Sequence, residues 1–301
     1  EQVPASITNN TIVVYKNMGV SVENTTATVN NNEITGMPGS TVRDGIICSG
    51  SGSVTIENNI IRNMGTPIAS WAPTEIIGNA IIDTEDGDAI RCWTYDGYSY
   101  TINNNTIYSF GRDGISCSAS ADVSVKNTII WGGPDSRASV YIAAGASPEF
   151  SNCNIQDGLS GFTGDGAGDN YDAENLYTDN INAEPDFADP ENNDFSLTKY
   201  SPCVNIGTPD ITGLNLTDTD LAGNPWIYTG GHLDIIDIGA YELQEDPVQM
   251  TTISMWPEDE GIINEAGGTL RINFDIAPIA YSGNVTIYND DNSVFEHKYF
   301  T

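Results

Sequence analysis

Asp88, Arg91, Arg112 and Asp113 are the side chains of this 301-residue chain whose types and spacing best suit chemistry, with Asp86 close by. Two schemes fit them. In β-elimination on a uronate, a base removes the proton next to the sugar carboxylate while a cation neutralises that carboxylate. Arg91 or Arg112, with an Asp-bound calcium, would serve as the cation. In glycoside hydrolysis two carboxylates flank the bond at about 5–9 Å, a separation Asp88 and Asp113 could reach from neighbouring layers of a fold. The plainer reading is that the Asp44-Gly45 and Asp113-Gly114 pairs are turns, with Arg43 and Arg112 as surface partners. Trp71, Trp93, Tyr95, Tyr98 and Tyr100 form an aromatic group near these residues. Such rings either stack on sugars or pack over the flank of a core. Asp165, Asp169 and Asp172, with Glu174, lie on the Gly-rich stretch 164–175 and could offer calcium several oxygen ligands. Without a helix-loop-helix ligand order, the same stretch reads equally as a mobile acidic loop.

Composition narrows the partners. Ten Lys and Arg face 42 Asp and Glu, a net charge of −32. A nucleic-acid binder needs a basic stripe, so nucleic acid is excluded as a partner, and anionic membrane surfaces are disfavoured. No run of about 18 apolar residues is present, so no membrane insertion is expected. Acidity of this kind suits secretion, high salt or calcium-rich surroundings, and also simply favours solubility. Only two His are present, and neither lies near a Cys pair, which leaves little room for zinc.

What must position the candidate residues is a repeat. ITNNTI (7–12), VNNNEI (29–34), IENNII (56–61), IIGNAII (76–82), INNNTI (102–107), VKNTII (125–130) and FSNCNI (150–155) share an apolar residue, an Asn and an Ile. Interleaved with them are GVSV (19–22), GIIC (45–48), PIAS (67–70), AIRC (89–92), GISC (114–117) and SVYI (139–142). Each period carries two short runs of period-two alternation and no helical spacing. Units this short bury an apolar face only by stacking as coils of a solenoid. Aligning the shared asparagines makes Asn9, Asn31, Asn58, Asn79, Asn104, Asn127 and Asn152 a structural ladder at a sharp turn. There Asn tolerates left-handed backbone and its amide bonds the copies above and below. The second alignment makes Cys48, Cys92 and Cys117 one inward column with Ser70, Val22 and Ile142, expected as buried, reduced thiols. Its outward neighbours are Ser21, Ile47, Ala69, Arg91, Ser116 and Tyr141.

These repeats resemble right-handed parallel β-helix proteins of the pectate-lyase-like kind. The stretch NINAEPDFADPENNDFSLTKYSPCVNIG (180–207), then DLAGNPW (220–226) and DIGAYE (237–242), resembles the C-terminal region of secreted bacterial members. Trp226 stands where that pattern usually has a basic residue. The resemblance implies that this stretch closes the solenoid, with Phe187, Phe195, Leu197, Ile235, Ile236, Ile238 and Tyr241 covering its end. Beyond it, SMWPEDEG (254–261), TLRINFDI (269–276) and GNVTIYNDD (283–291) are similar to the first half of bacterial immunoglobulin-like surface modules.

The expected fold is therefore all-β: a right-handed single-stranded parallel β-helix over 1–243, divided into repeats (1–157), acidic loop (158–183) and capping region (184–243). A linker (244–249) and a partial immunoglobulin-like β-sandwich (250–301) follow. The chain reads as an internal piece of a larger secreted or cell-surface protein. Three functions fit: a non-catalytic surface that binds polysaccharide or cell-surface glycan and mediates adhesion, a lyase or glycosidase acting on acidic glycans, or a fibre subunit that self-associates head to tail. Calcium is the one cofactor the pattern suggests.

Overall fold

The computed structural model describes residues 4–93, 97–134, 136–229 and 235–245, together with four later strands. The chain divides into two compact units, 1–246 and 247–301.

The first unit is a parallel β-solenoid whose coils each present three strands. An eight-stranded parallel sheet runs from Ala5–Thr8 through Val54–Glu57, Thr74–Ile77 and Ser99–Asn103 to Tyr177–Thr178. A twelve-stranded sheet folds round the other two faces. One face holds Ile60–Arg62, Ala80–Ile82, Thr106–Tyr108 and Ile129–Trp131. The other holds Thr66–Trp71, Ile90–Cys92, Ile115–Cys117, Val140–Ile142 and Phe162–Thr163. The long strand Glu33–Ser49 joins them.

Register stacks like on like. Ile34, Ile61, Ile81, Ile107, Ile130 and Ile155 form one inward column, and Ile46, Ile68, Ile90, Ile115 and Val140 another. All are buried, and each contributes about 1.5–3 kcal/mol by leaving water. The column Val22, Cys48, Ser70, Cys92, Cys117 and Ile142 is continuous, as the sequence alignment expects. All five cysteines are free and buried. Burial pushes the Cys48, Cys117, Cys153 and Cys203 thiols up to about 12, so none is a ready nucleophile.

The asparagine ladder needs correction. Asn9, Asn31, Asn58, Asn104, Asn127 and Asn152 are the left-handed turn residues, and Gly78, not Asn79, is their fourth member. The hydrogen-bonded ladder is the next column. Asn10 donates its amide to Asn32, Asn32 to Asn59, Asn59 to Asn79 and Asn79 to Asn105, at 2.9–3.0 Å. Each accepting oxygen also takes the backbone N–H of the asparagine before it. Aligning on Asn across IIGNAII slipped one residue because Gly supplies the left-handed position there at no steric cost.

Two segments of the C-terminal region also differ from expectation. Residues 158–183 form the last coil: Phe162–Thr163 and Tyr177–Thr178 pair with the coil before. The Phe162 ring lies 5.2 Å from Phe150, 5.4 Å from Tyr171 and 5.6 Å from Tyr177, and these rings plug the end of the core. Residues 184–243 do not cap that end. Residues 184–229 and 235–243 run along the side as a strap, tied by Asn58, Asn103 and Asn127 to Thr217, Leu214 and Thr208. Beneath the strap the outward positions of the Ile60–Arg62 to Ile129–Trp131 face are apolar except for Arg62 and Thr106. Phe187, Phe195, Leu197 and Ile238 cover Ala80, Ile82, Tyr108 and Ile129. An apolar outer face has to be buried as surely as an open end, and this one decides where the strap lies. Trp226 is buried with its ring over Gly78, where a Cβ would come within 3.3 Å of it.

The DLAGNPW and DIGAYE motifs are the strap's fastening. Asp220 accepts the N–H groups of Ala222, Asn224 and Glu242. Asp237 accepts those of Asn205 and Leu243, and Glu242 those of Tyr228 and Asp237. All three carboxyls are buried.

The second unit contains two separate antiparallel pairs: Thr252–Trp256 with Arg271–Phe274, and Gly283–Tyr288 with Val294–Phe300. The finding extends to two small sheets and not to a sandwich.

Candidate functional site

The site is built on the solenoid face where Arg91, Ser116, Tyr141 and Thr163 form one outward column on successive coils. Across four successive coils of this face and the turns beside it lies an open cleft of about 630 Å³. Trp93, Arg112, Asp113, Ser116, Arg137 and Tyr141 line it, joined by Asp157 and Ser160 from the last coil. A second hollow, about 700 Å³ beside Ser6–Thr8 and Gly19–Ser21, has no charged side chain in its lining.

Asp88 lies under the cleft with no exposed side-chain surface. It accepts Arg91 Nε at 2.9 Å and both Nε and Nη2 of Arg112 at 2.5 Å. A buried carboxylate is stable only when held in this way, and the bond from Asp88 pushes the Arg112 guanidinium above its ordinary value. Arg112 also reaches Asp113 at 3.7 Å. Asp113 takes the Ala138 N–H and lies against Asp88 in the layer below. Burial, followed by the charge of Asp88, raises its carboxyl above the usual range.

The pairing of Asp88 with Asp113 across a glycosidic bond needs both carboxyls at the cleft, and Asp88 is sealed beneath it. Asp88 is an anchor for two arginines. Asp113 faces the cleft with 14% of its side chain exposed, and Asp86 is exposed away from the lining.

The aromatic group separates into different roles. Trp93 is 38% exposed, with the Arg91 guanidinium 5.6 Å from its ring centre. Tyr141, 36% exposed, stands across the cleft two coils on. Trp71 is half-buried, in the same column as Trp93 one coil earlier. Tyr98 packs against the core. Tyr100 is not a surface ring: it is buried, and its hydroxyl donates toward the carbonyls of Trp93 (2.9 Å) and Ser70 (3.1 Å). Tyr95 lies outside the described residues. Tyr100→Phe is expected to cost about 1 kcal/mol of stability and leave ligand binding unchanged, which thermal melts and a binding titration would check together.

Asp165, Asp169, Asp172 and Glu174 are exposed on the last coil, and Asp172 accepts the Asn175 amide at 2.9 Å. Among the described residues no group of three or more His, Cys, Asp or Glu side chains is gathered to hold a metal. Among the same residues no helix is long and apolar enough to cross a membrane.

Arg137, Asp157 and Ser160 were missed from the sequence. A signal for Arg137 exists: it stands three residues before Val140, as Arg112 stands three before Ile115, and those two apolar residues are partners in register. Asp157 and Ser160 come from the last coil, where the repeat pattern lapses.

Stacked three-strand coils define a parallel β-solenoid, and this one carries an aromatic, charged cleft on one long face. The chain matches the family described as "Right handed beta helix region" over residues 1–175, more than half its length, and it belongs to that family. Comparison with curated proteins and with solved structures finds no match.

Proposed function

We propose that this is an extracellular, cell-surface β-helix module that binds an acidic polysaccharide in the cleft of Trp93, Arg112, Arg137 and Tyr141, without catalysing its cleavage. One observation carries the reading. In a chain of net charge −32 with only ten Lys and Arg, two arginines (Arg112 and Arg137) line a single cleft bearing two exposed aromatic rings, and a third, Arg91, lies against one of those rings, Trp93. Rings take the apolar face of a sugar, and guanidinium forks take its carboxylate or sulfate. The 250–301 segment, read as part of an immunoglobulin-like module, would hold the solenoid to the cell surface, giving an adhesive role.

Affinity electrophoresis through gels containing polygalacturonate or a neutral glucan tests the proposal. Retardation by the acidic polymer alone is expected. Trp93→Ala and Arg137→Ala should each weaken it about tenfold, the loss of one stacking or charged contact worth about 1.4 kcal/mol. Equal retardation by both polymers, or none by either, counts against it. A lyase or hydrolase on the same acidic glycan is the second reading, favoured by the raised carboxyl of Asp113 beside Arg112. Unsaturated or reducing-end product from the same polymers would move the conclusion to that reading.

A further inference from the structure

We infer that Arg137 is the anion reader of this cleft, and that the ligand it selects is a glycan whose acidic groups stand singly among neutral sugars. The inference rests on the acidic-glycan reading and names the ligand more closely.

The three arginines differ in what they have left to give. Arg91 and Arg112 converge on one buried carboxylate: Asp88 accepts Nε of Arg91 at 2.9 Å and Nε and Nη2 of Arg112 at 2.5 Å. One edge of the Arg112 fork is thereby spent, and Asp113 lies 3.7 Å from the same Nε. Arg91 is fixed by Asp88 on one side and lies 5.6 Å from the centre of the Trp93 ring on the other. These two arginines build the wall of the cleft. Arg137 lines the same cleft, is exposed, and takes part in no ion pair among the described residues.

Register gives the reason. Ile90, Ile115 and Val140 are partners on successive coils. Two residues before them stand Asp88, Asp113 and Ala138, and three before them Gly87, Arg112 and Arg137. The coil that carries Arg137 therefore has alanine where the two preceding coils have carboxylates. Its fork stays open to a planar anion, which it can take through two parallel N–H bonds.

The rest of the lining sets how much charge the ligand can bring. Asp113 and Asp157 border the cleft together with Ser136, Ser160 and Tyr141, and Asp157 is exposed. Carboxyl and hydroxyl oxygens accept hydrogen bonds from the hydroxyls of a neutral sugar. A second ligand carboxylate beside Asp157 would instead meet a like charge, which is costly in a binding site. One open guanidinium flanked by acceptors thus fits one acidic group with neutral residues on either side.

The test is isothermal titration of the full chain at physiological ionic strength, where charges more than about 8 Å away are largely screened. The ligand is one galacturonan in three forms: fully de-esterified, randomly half methyl-esterified and fully methyl-esterified. The half-esterified form should bind about tenfold more tightly than either of the others. Arg137→Gln should bind the half-esterified and fully esterified forms alike. Arg137→Lys, which keeps the charge without the fork, should retain the preference at reduced strength. Asp157→Asn should gain more affinity for the fully de-esterified form than for the half-esterified one, which separates a local effect from repulsion by the whole acidic surface. Affinity that climbs steadily with the number of free carboxylates overturns the inference and leaves the glycan reading standing. So does a preference for the half-esterified form that survives in Arg137→Gln, or an equal gain for both forms in Asp157→Asn. No binding of any form, or equal binding of all three, overturns both.

Discussion

Asn79→Ala is expected to destabilise the solenoid by about 3–5 kcal/mol, well beyond an ordinary side-chain truncation. Asn79 is fully buried. Its oxygen accepts both the backbone N–H and the amide of Asn59, while its own amide reaches the carbonyls of Ile56 and Ile77 and the oxygen of Asn105. Alanine would strand donors and acceptors on three coils with no water to replace the partner, and each such group costs about 1–3 kcal/mol. Asn31→Gly should change stability by no more than about 0.5 kcal/mol, because Asn31 is an exposed turn residue whose left-handed backbone (φ 53°) glycine adopts freely. Chemical denaturation of the two variants checks both the size of the effect and the column that carries it. Equal losses would restore the ladder expected from the sequence.

The second large effect concerns pH. Burial raises Asp237 to about 7 and Glu242 to about 9, although backbone N–H groups pull both the other way. Among the described residues neither carboxyl has a cation at hydrogen-bond distance. Nearby are Asp220 and, beside Tyr241, Arg62 and Asp194. In the unfolded chain both groups lose their protons near the ordinary carboxylate value of about 4. Above that value the folded state binds more protons than the unfolded state, so stability falls as pH rises. The contribution is complete below about pH 4 and is lost progressively up to about 7 for Asp237 and about 9 for Glu242. The melting temperature should therefore drop by roughly ten degrees between about pH 5 and pH 9. This is the reverse of familiar acid denaturation. Glu242→Gln should flatten the upper part of that curve and Asp237→Asn the lower part. A melting temperature that climbs over the interval would show that both carboxyls ionise freely in the fold, and the account of the strap's fastening would be wrong.

The solenoid was legible because each of its columns repeats one letter class. Ile46, Ile68, Ile90 and Ile115 differ in nothing but coil, and the shared Asn and Ile positions give two independent alignments of the same period. The same regularity misled where one class has two neighbouring slots. In NN pairs such as Asn9-Asn10 and Asn31-Asn32 either residue can be the ladder, and only IIGNAII, with its Gly in the turn slot, distinguishes them. The strap was legible as apolar cover but not in its location. Its target, the outward Ala80, Ile82, Tyr108 and Ile129, belongs to strands with apolar residues on both faces, which a period-two reading does not divide.

The cleft was half legible for a related reason. Arg112, Asp113 and Trp93 lie close to repeat motifs and could be placed by counting. Asp157 and Ser160 meet them only because the last coil folds over the end of the column. Tyr100 shows the opposite error: proximity in sequence to Trp93 suggested a shared surface, but Tyr100 belongs to the next strand, Ser99–Asn103, in an inward position beside Thr74 and Val123. Asp88 and Asp113 were correctly set on adjacent coils, but counting could not show that Asp88 is buried beneath Arg91 and Arg112.

The most direct measurement of the central claim is a crystal structure of the full chain with a short oligogalacturonate at about pH 5. The account predicts sugar density along the face between Trp93 and Tyr141, with a uronate carboxylate on Arg112 or Arg137 and rings over the indole. Sugar bound on another face of the solenoid, or in the cleft with its carboxylates turned away from both arginines, would contradict it.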